Sequence, residues 1–400
     1  MSRILLINDY GRATGGAELQ MLAIRDGLRA RGHEVRLFTS DVAFQEGFAL
    51  EADASCRGRT DLGQVATQTL NLDAARRLRA ELRDHPPDMV HIRMFLWQLS
   101  PLILPVLRGY PVLFQAAVYK AVCPNGMKLR PDGSVCTVPA GRVCVTERCI
   151  APATWMSTML QLRLLNRWRD VITTTATLSG RMAQIFEANG WRDVQVLPNG
   201  IDEAPPGGPL TPDPTLAYAG RLSREKGVDT LIDAFARIAD RIPRARLMIL
   251  GSGPEEAPLK ARAAPLGDRV AFRPHMPRAE MEAALSGLWV QAVPSLWHEP
   301  FGNVTTEAMM RGTAVVAADM GGQSDLVRDG RTGYLVPAGD AATLADRLTR
   351  ILTDRDHASA LGQAGRDVVR AEYSRAAALD RLGSVYAATR RRAQSGASAR

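Results

Sequence analysis

Two glutamates, Glu299 and Glu307, flank the turn Pro300-Phe301-Gly302-Asn303 inside the string WHEPFGNVTTEAMMR, Trp297–Arg311. Thr305–Arg311 reads as a helix, so Gly302, Asn303, Val304 and Thr305 sit where backbone N–H groups are free. Such a terminus holds an anion, above all a phosphate. Gly302 lets the main chain come close. Glu307, one turn in, is placed to accept hydrogen bonds from a diol such as ribose. Glu299, before the turn, lies where the hydroxyls of a sugar would sit. A first-turn glutamate also suits the helix dipole and a loop carboxylate is often merely solvated, so the pair alone does not decide the matter. The whole string is far more specific.

Two cations occupy a second turn. Gly220-Arg221-Leu222-Ser223-Arg224-Glu225-Lys226-Gly227 follows a buried strand and opens a helix. Arg221, through a planar fork, and Lys226, as a point charge, could hold a diphosphate there. Gly251-Ser252-Gly253 follows another strand and opens like a dinucleotide fingerprint, but Glu256 stands where the third glycine belongs. That speaks against a dehydrogenase and leaves Gly251 and Gly253 as a wall of a nucleotide pocket.

The elements that must carry these turns alternate. In the first half, strands are expected at Ile4–Asn8, Val35–Thr39, Met89–Ile92, Val112–Phe114, Val171–Thr175 and Val194–Leu197, with a helix over Ala17–Arg31 capped by Gly32. Glu203–Pro214, rich in Pro and Gly, reads as a linker. The alternation then restarts: strands at Leu216–Ala219, Arg246–Leu250, Val270–Arg273, Gln291–Val293, Ala314–Ala317 and Gly333–Leu335, and a helix over Gly227–Ala239. The expectation is an α/β protein with two doubly wound, Rossmann-like domains, residues 1–200 and 215–373, joined by a linker at 201–214. A helix at 374–393 and a disordered tail at 394–400 complete it.

The chain has 400 residues and a formal charge of +8. That balance suits an anionic small molecule or surface, but the arginines are scattered and no aromatic–basic signature points to specific nucleic-acid binding. No signal-peptide pattern opens the sequence and no apolar run is long enough to span a bilayer, so a cytoplasmic protein is expected, with peripheral membrane contact as an option. Trp155–Arg169 could lie on an anionic membrane, although an amphipathic helix packed on its own domain is the better reading. Cys123, Cys136, Cys144 and Cys149 follow the pattern C-x12-C-x7-C-x4-C in an insert at 120–150. They could form a structural zinc site, pair by redox chemistry, or act as independent thiols; tight CxxC pairs are missing.

In this order, the motifs resemble family 4 glycosyltransferases of the two-domain GT-B fold. The strings that carry the resemblance are Thr14-Gly15-Gly16-Ala17-Glu18, Arg31-Gly32-His33-Glu34-Val35, Pro198-Asn199-Gly200-Ile201-Asp202, Gly220-Arg221 with Lys226-Gly227, Gly251-Ser252-Gly253-Pro254 and Glu299-Pro300-Phe301-Gly302 through Glu307-Ala308. Gly321-Gly322, Asp329-Gly330 and Thr332-Gly333 extend it. The resemblance implies two domains facing across a cleft and a last helix crossing back to the first. It implies a UDP- or GDP-sugar as donor, a hydroxyl acceptor on a glycan, lipid-linked or small molecule, transfer with retention, and no metal for the chemistry. Carried over, Glu307 binds ribose, Arg221 and Lys226 the diphosphate, and Glu299 the donor sugar. Phe301, Gly302, Asn303 and Val304 offer main-chain groups, Gly15 and Gly16 approach the phosphates, and the base lies near Arg273–Met276, which includes His275 and Met276. One departure stands out. Ala117 and Val118 occupy the places of the family's His-Asp pair, with Tyr119 matching and Gln115 and Lys120 as the nearby polar candidates. It keeps open a non-catalytic sugar-nucleotide binder and an enzyme of other chemistry, an epimerase or one coupling non-sugar groups.

Overall fold

The computed structural model describes residues 1–274 and 276–398. They form two compact units: residues 1–200 with 378–398, and residues 201–377. Each is built on its own parallel sheet.

In the first unit the strands are β1 (Arg3–Tyr10), β2 (Glu34–Ser40), β3 (Ala54–Cys56), β4 (Met89–Ile92), β5 (Val112–Ala116), β6 (Thr174–Thr177) and β7 (Gln195–Val196). Their order across the sheet is β3-β2-β1-β4-β5-β6-β7. The apolar runs that mark them in the sequence are buried on both faces, as a helix-covered parallel sheet requires; Leu6, Ile7 and Phe38 have no exposure. β3 has no counterpart in the sequence reading, since three residues carry no periodicity. Val171 lies in a short 3-10 turn, Arg169–Val171, rather than in a strand.

In the second unit, β8 (Thr215–Ala219), β9 (Arg246–Leu250), β10 (Val270–Arg273), β11 (Val290–Val293), β12 (Ala314–Ala318) and β13 (Tyr334–Val336) lie in the order β10-β9-β8-β11-β12-β13. The order reverses between β8 and β11. At such a switch point the connections leave in opposite directions and open a crevice beyond the carboxyl ends of the strands. The loops after β8 and β11, which carry Arg221, Lys226 and Glu299, are therefore neighbours.

The stretch expected to be a free linker is fastened to the second unit. Gly207 N donates to Arg311 O at 2.7 Å and Thr211 N to Gly287 O at 2.9 Å. Arg366 Nη2 reaches Ala204 O at 2.6 Å. The last helix runs Arg375–Ser398, through residues expected to be a disordered tail. Its residues from Ala378 onward belong to the first unit, where Leu379, Leu382 and Tyr386 join the core around Ile4, Leu6 and Leu28. The two places where the chain passes between units are tied together: Ile201 N donates to Tyr373 O (2.8 Å) and Arg375 N to Ile201 O (2.7 Å).

Candidate active site

The crevice of the second unit is assembled from glycine-dependent turns. Gly227 ends the loop after β8 and caps the helix Val228–Ala239 at φ +64°, and a Cβ there would run into Pro294 O. This close approach lays the loop after β8 on the loop after β11, and Leu296 N donates to Glu225 O at 2.8 Å. Lys226 Nζ consequently meets Glu299 Oε1 at 2.5 Å, although the two lie far apart in sequence. Both are mostly shielded, with side-chain exposures of 22% and 14%. Ser295 Oγ donates to the same Glu299 oxygen at 2.9 Å. The Lys226 ammonium stands 5.3 Å from the centroid of the Trp297 ring. Glu299 thus has one oxygen committed to two donors and Lys226 keeps N–H groups free for an anion.

The helix after β11 begins earlier than the sequence suggests, at Asn303, and runs to Arg311. Gly302 caps it at φ +118°, a conformation that disfavours any side chain. Phe301 points inward against Tyr373, with ring centroids 5.9 Å apart, so only its main chain is available to a ligand. Gly322 N donates to Glu299 O at 2.8 Å, which seats the loop on the Gly321-Gly322 turn. Thr305 Oγ1 donates to Gln323 Oε1 at 2.6 Å and holds that buried amide beside Gly302. Burial raises the Glu307 carboxyl above the usual range, and the charges of Arg311 and Arg278 counter it. Arg311 is fixed by Gln291 Oε1 (2.8 Å) and Glu282 Oε2 (3.1 Å).

Arg221 is exposed at the start of its loop. The Gly251–Gly253 loop runs against that turn: Gly220 N donates to Leu250 O and Leu222 N to Ser252 O, both at 3.0 Å. Met276 and Val304 pack into one apolar cluster with Ala219 and Leu250. His275 lies outside the described residues. Gly15 and Gly16 belong to the first unit, at the N-terminus of the helix Gly16–Ala30. Ser295 and Gln323 carry no motif and have no role in the sequence reading, and Trp297 enters it only as the first residue of the string Trp297–Arg311.

The first unit has its own recess, at the carboxyl ends of β1, β4 and β5, lined by Asp9, Arg93, Trp97, Phe114, Val118 and Lys120 among others. Asp9 accepts N–H bonds from Trp97 (2.9 Å), Gln98 (2.8 Å) and Leu99 (3.0 Å). Burial still lifts its pKa to about 6. Lys120 Nζ donates to Pro124 O at 2.6 Å and lies 4.0 Å from the Trp97 ring centroid. Burial brings its pKa down to about 8. Val118 lines the recess and Ala117 is buried. Gln115 does not face it as a free group: it accepts from Arg93 Nη1 (2.9 Å) and donates to Leu197 O (2.7 Å). Of the two polar candidates near the departure, only Lys120 reaches the recess.

Of the three options for the clustered cysteines, a structural zinc site finds no support. Among the described residues no three His, Cys, Asp or Glu side chains are placed to share a metal ion. The four clustered cysteines are free thiols. Without CxxC pairs they turn to local oxygens instead: Cys123 Sγ donates to Asn125 Oδ1, and Cys136 and Cys149 face the carbonyls of Val138 and Glu147. Burial raises the Cys144 and Cys149 thiols, the opposite of thiolate activation.

Two family models cover nearly the whole chain. The model described as glycosyl transferases group 1 matches residues 202–368, and that of the glycosyl transferase 4-like domain matches residues 15–200. The chain belongs to the group 1 glycosyltransferases. This glycosyltransferase is 27% identical over 372 residues to a phosphatidyl-myo-inositol mannosyltransferase of Mycobacterium leprae, across 89% of this chain and 88% of the relative. Its fold is that of solved GT-B structures. A sucrose-phosphate synthase from Thermosynechococcus elongatus superposes with a TM-score of 0.71 at 21% identity, covering 96% of this chain and 98% of the other. The HepE protein of Anabaena, solved with UDP-glucose, gives 0.67 at 18% identity, covering 97% and 100%. Among the described residues no helix of the glycosyltransferase is long and apolar enough to cross a membrane.

Proposed function

We propose that the enzyme transfers a sugar, with retention of anomeric configuration, from a UDP- or GDP-sugar to an acceptor hydroxyl in the cytoplasm. The observation that carries the reading is the 2.5 Å contact of Lys226 with Glu299 at the switch point of the second sheet. It supports a site in which Lys226 meets a diphosphate and Glu299, beside it, meets sugar hydroxyls, next to the helix terminus at Gly302. Glu307, one turn in, takes the ribose diol, and Arg221 takes a second share of the diphosphate charge. The cations and the helix terminus stabilise the departing nucleoside diphosphate, and a donor phosphate oxygen takes the proton of the acceptor. UDP-glucose bound to HepE supports the nucleotide-sugar class, and the mannosyltransferase relative supports a glycoconjugate acceptor.

A thermal-shift panel of nucleotides and sugar nucleotides tests this. One donor should raise the melting temperature of the wild type and fail to do so for Arg221→Ala and Glu307→Ala. A well-folded protein that no nucleotide stabilises would sink the proposal. Release of nucleoside diphosphate with formation of an α- or β-glycoside, read by NMR, then decides retention.

A further inference from the structure

Behind the loop Glu299–Gly302 lies an amide with no exposure, that of Gln323. The chain just before it is fastened to that loop: Gly322 N donates to Glu299 O at 2.8 Å, and a Cβ at Gly321 would strike the same carbonyl. One end of the amide is fixed, since Oε1 accepts from the buried Thr305 Oγ1 at 2.6 Å. The other end is not satisfied. Among the described residues Nε2 has no acceptor. It fills the room that a side chain at Gly302 would take, 2.8 Å from the position of a Cβ there. The –NH2 group is therefore turned toward the residue that caps the nine-residue helix Asn303–Arg311.

The free protein is worse off for this arrangement in two ways. A buried donor without an acceptor loses its hydration, and an apolar side chain of similar volume would fill the same room beside Leu326 without that loss. The positive end of the amide dipole also faces the positive pole of a helix, where the first N–H groups are free. Both penalties reverse when a negative charge sits at the terminus. Any helix start attracts an anion. This one has a second fixed dipole behind it, pointing the same way, in surroundings too dry to screen it. The field passes through the glycine, so the amide need not touch what it attracts.

We infer that Gln323 sets the charge preference of this terminus: its unmatched –NH2 strengthens the positive pole at Gly302 in favour of the doubly charged terminal phosphate of a departing nucleoside diphosphate. This role rests on the donor site proposed above and extends it to a residue outside its motifs.

Titration calorimetry of the full chain with UDP, GDP, UMP and GMP tests it on two substitutions. Gln323→Glu keeps an acceptor for Thr305, and a carboxylate suits a helix terminus, so the fold is kept. It supplies from within the negative charge that the ligand should bring, and binding of the diphosphate preferred by the wild type should fall at least about 100-fold. Gln323→Met keeps the length and removes the dipole. It should weaken the diphosphate about tenfold and the corresponding monophosphate about threefold or less. The unequal loss is the signature, because a merely structural role would weaken both ligands alike. Both variants should melt near the wild-type temperature. An equal loss on both ligands would overturn the inference, and so would a Met variant that binds the diphosphate as the wild type does. Tighter binding by the Met variant would overturn it as well, since the amide oxygen would then be the end that faces the anion. A folded wild type that binds neither UDP nor GDP would overturn the donor site and this role with it. A wild type that binds one of them, beside an unchanged Met variant, would overturn this role alone.

Discussion

Lys226 is the residue on which the proposed donor chemistry converges. Its ammonium is oriented by Glu299 and backed by Trp297 before any anion arrives, so little reorganisation is needed when a diphosphate enters. Lys226→Met should lower kcat/KM about 10²–10³-fold, on the scale of losing one preorganised donor, in an assay of nucleoside diphosphate release. A loss below about threefold would show that Arg221 and the helix terminus suffice. Asp9 and His91 offer a second test. Burial takes the His91 pKa from 6.5 to about 3. The unfolded chain therefore binds the proton first, and the stability His91 contributes is full above pH 6.5 and lost as the pH falls toward 3. Asp9, raised to about 6, works the other way: the cost of its ionisation is present at neutral pH and relieved as the pH falls from 6 to about 4. The two largely cancel between pH 6.5 and 4.5. Asp9→Asn removes the relief, so urea unfolding of this variant should show about 2 kcal/mol more stability lost across that interval than the wild type loses. Equal slopes would mean that Asp9 ionises normally.

The turns that assemble the site act at the scale of elements. Gly227 sits in the left-handed region against Pro294 O. Gly227→Ala must push the loop after β8 away from the loop after β11. It should cost about 2–4 kcal/mol by thermal unfolding and reduce activity beyond what partial unfolding explains. The same juncture shows what the sequence could disclose. Lys226, Glu299, Gly302 and Glu307 are all visible as local motifs, because each turn follows a strand and opens a helix. Their meeting is not visible, because it depends on β8 lying beside β11, and periodicity is silent on strand order. Asp9 and Arg93 stay hidden for another reason: a lone polar residue at a strand end looks the same whether it faces water or a buried ladder of N–H groups. The Pro- and Gly-rich stretch Glu203–Pro214 misleads in the opposite sense. Its composition suggests freedom, yet composition does not say where carbonyls find donors, and Arg366 supplies one to Ala204.

At the scale of the molecule, the final helix matters most to the part of the chain farthest from it in sequence. Leu379, Leu382 and Tyr386 fill the core of the first unit, and Tyr386 Oη lies 2.8 Å from His91 Nδ1. A chain ending at Ala377 should expose that core. The expected result is loss of the first unit's thermal transition and rapid proteolysis within residues 1–200, with the second unit spared. The joined crossings at Ile201 and Arg375 carry a further consequence. Residues 201–377 form one uninterrupted segment whose two ends are hydrogen-bonded to each other, like a passenger set into a host whose own sequence is split around it. Closing such a segment adds little entropy cost, and nothing from the host is required to complete its sheet. Expressed alone it should fold and keep its response to the nucleotide, whereas the host depends on both of its severed ends. Donor recognition would then be a portable module, exchangeable between acceptor-binding hosts at a junction a few residues wide.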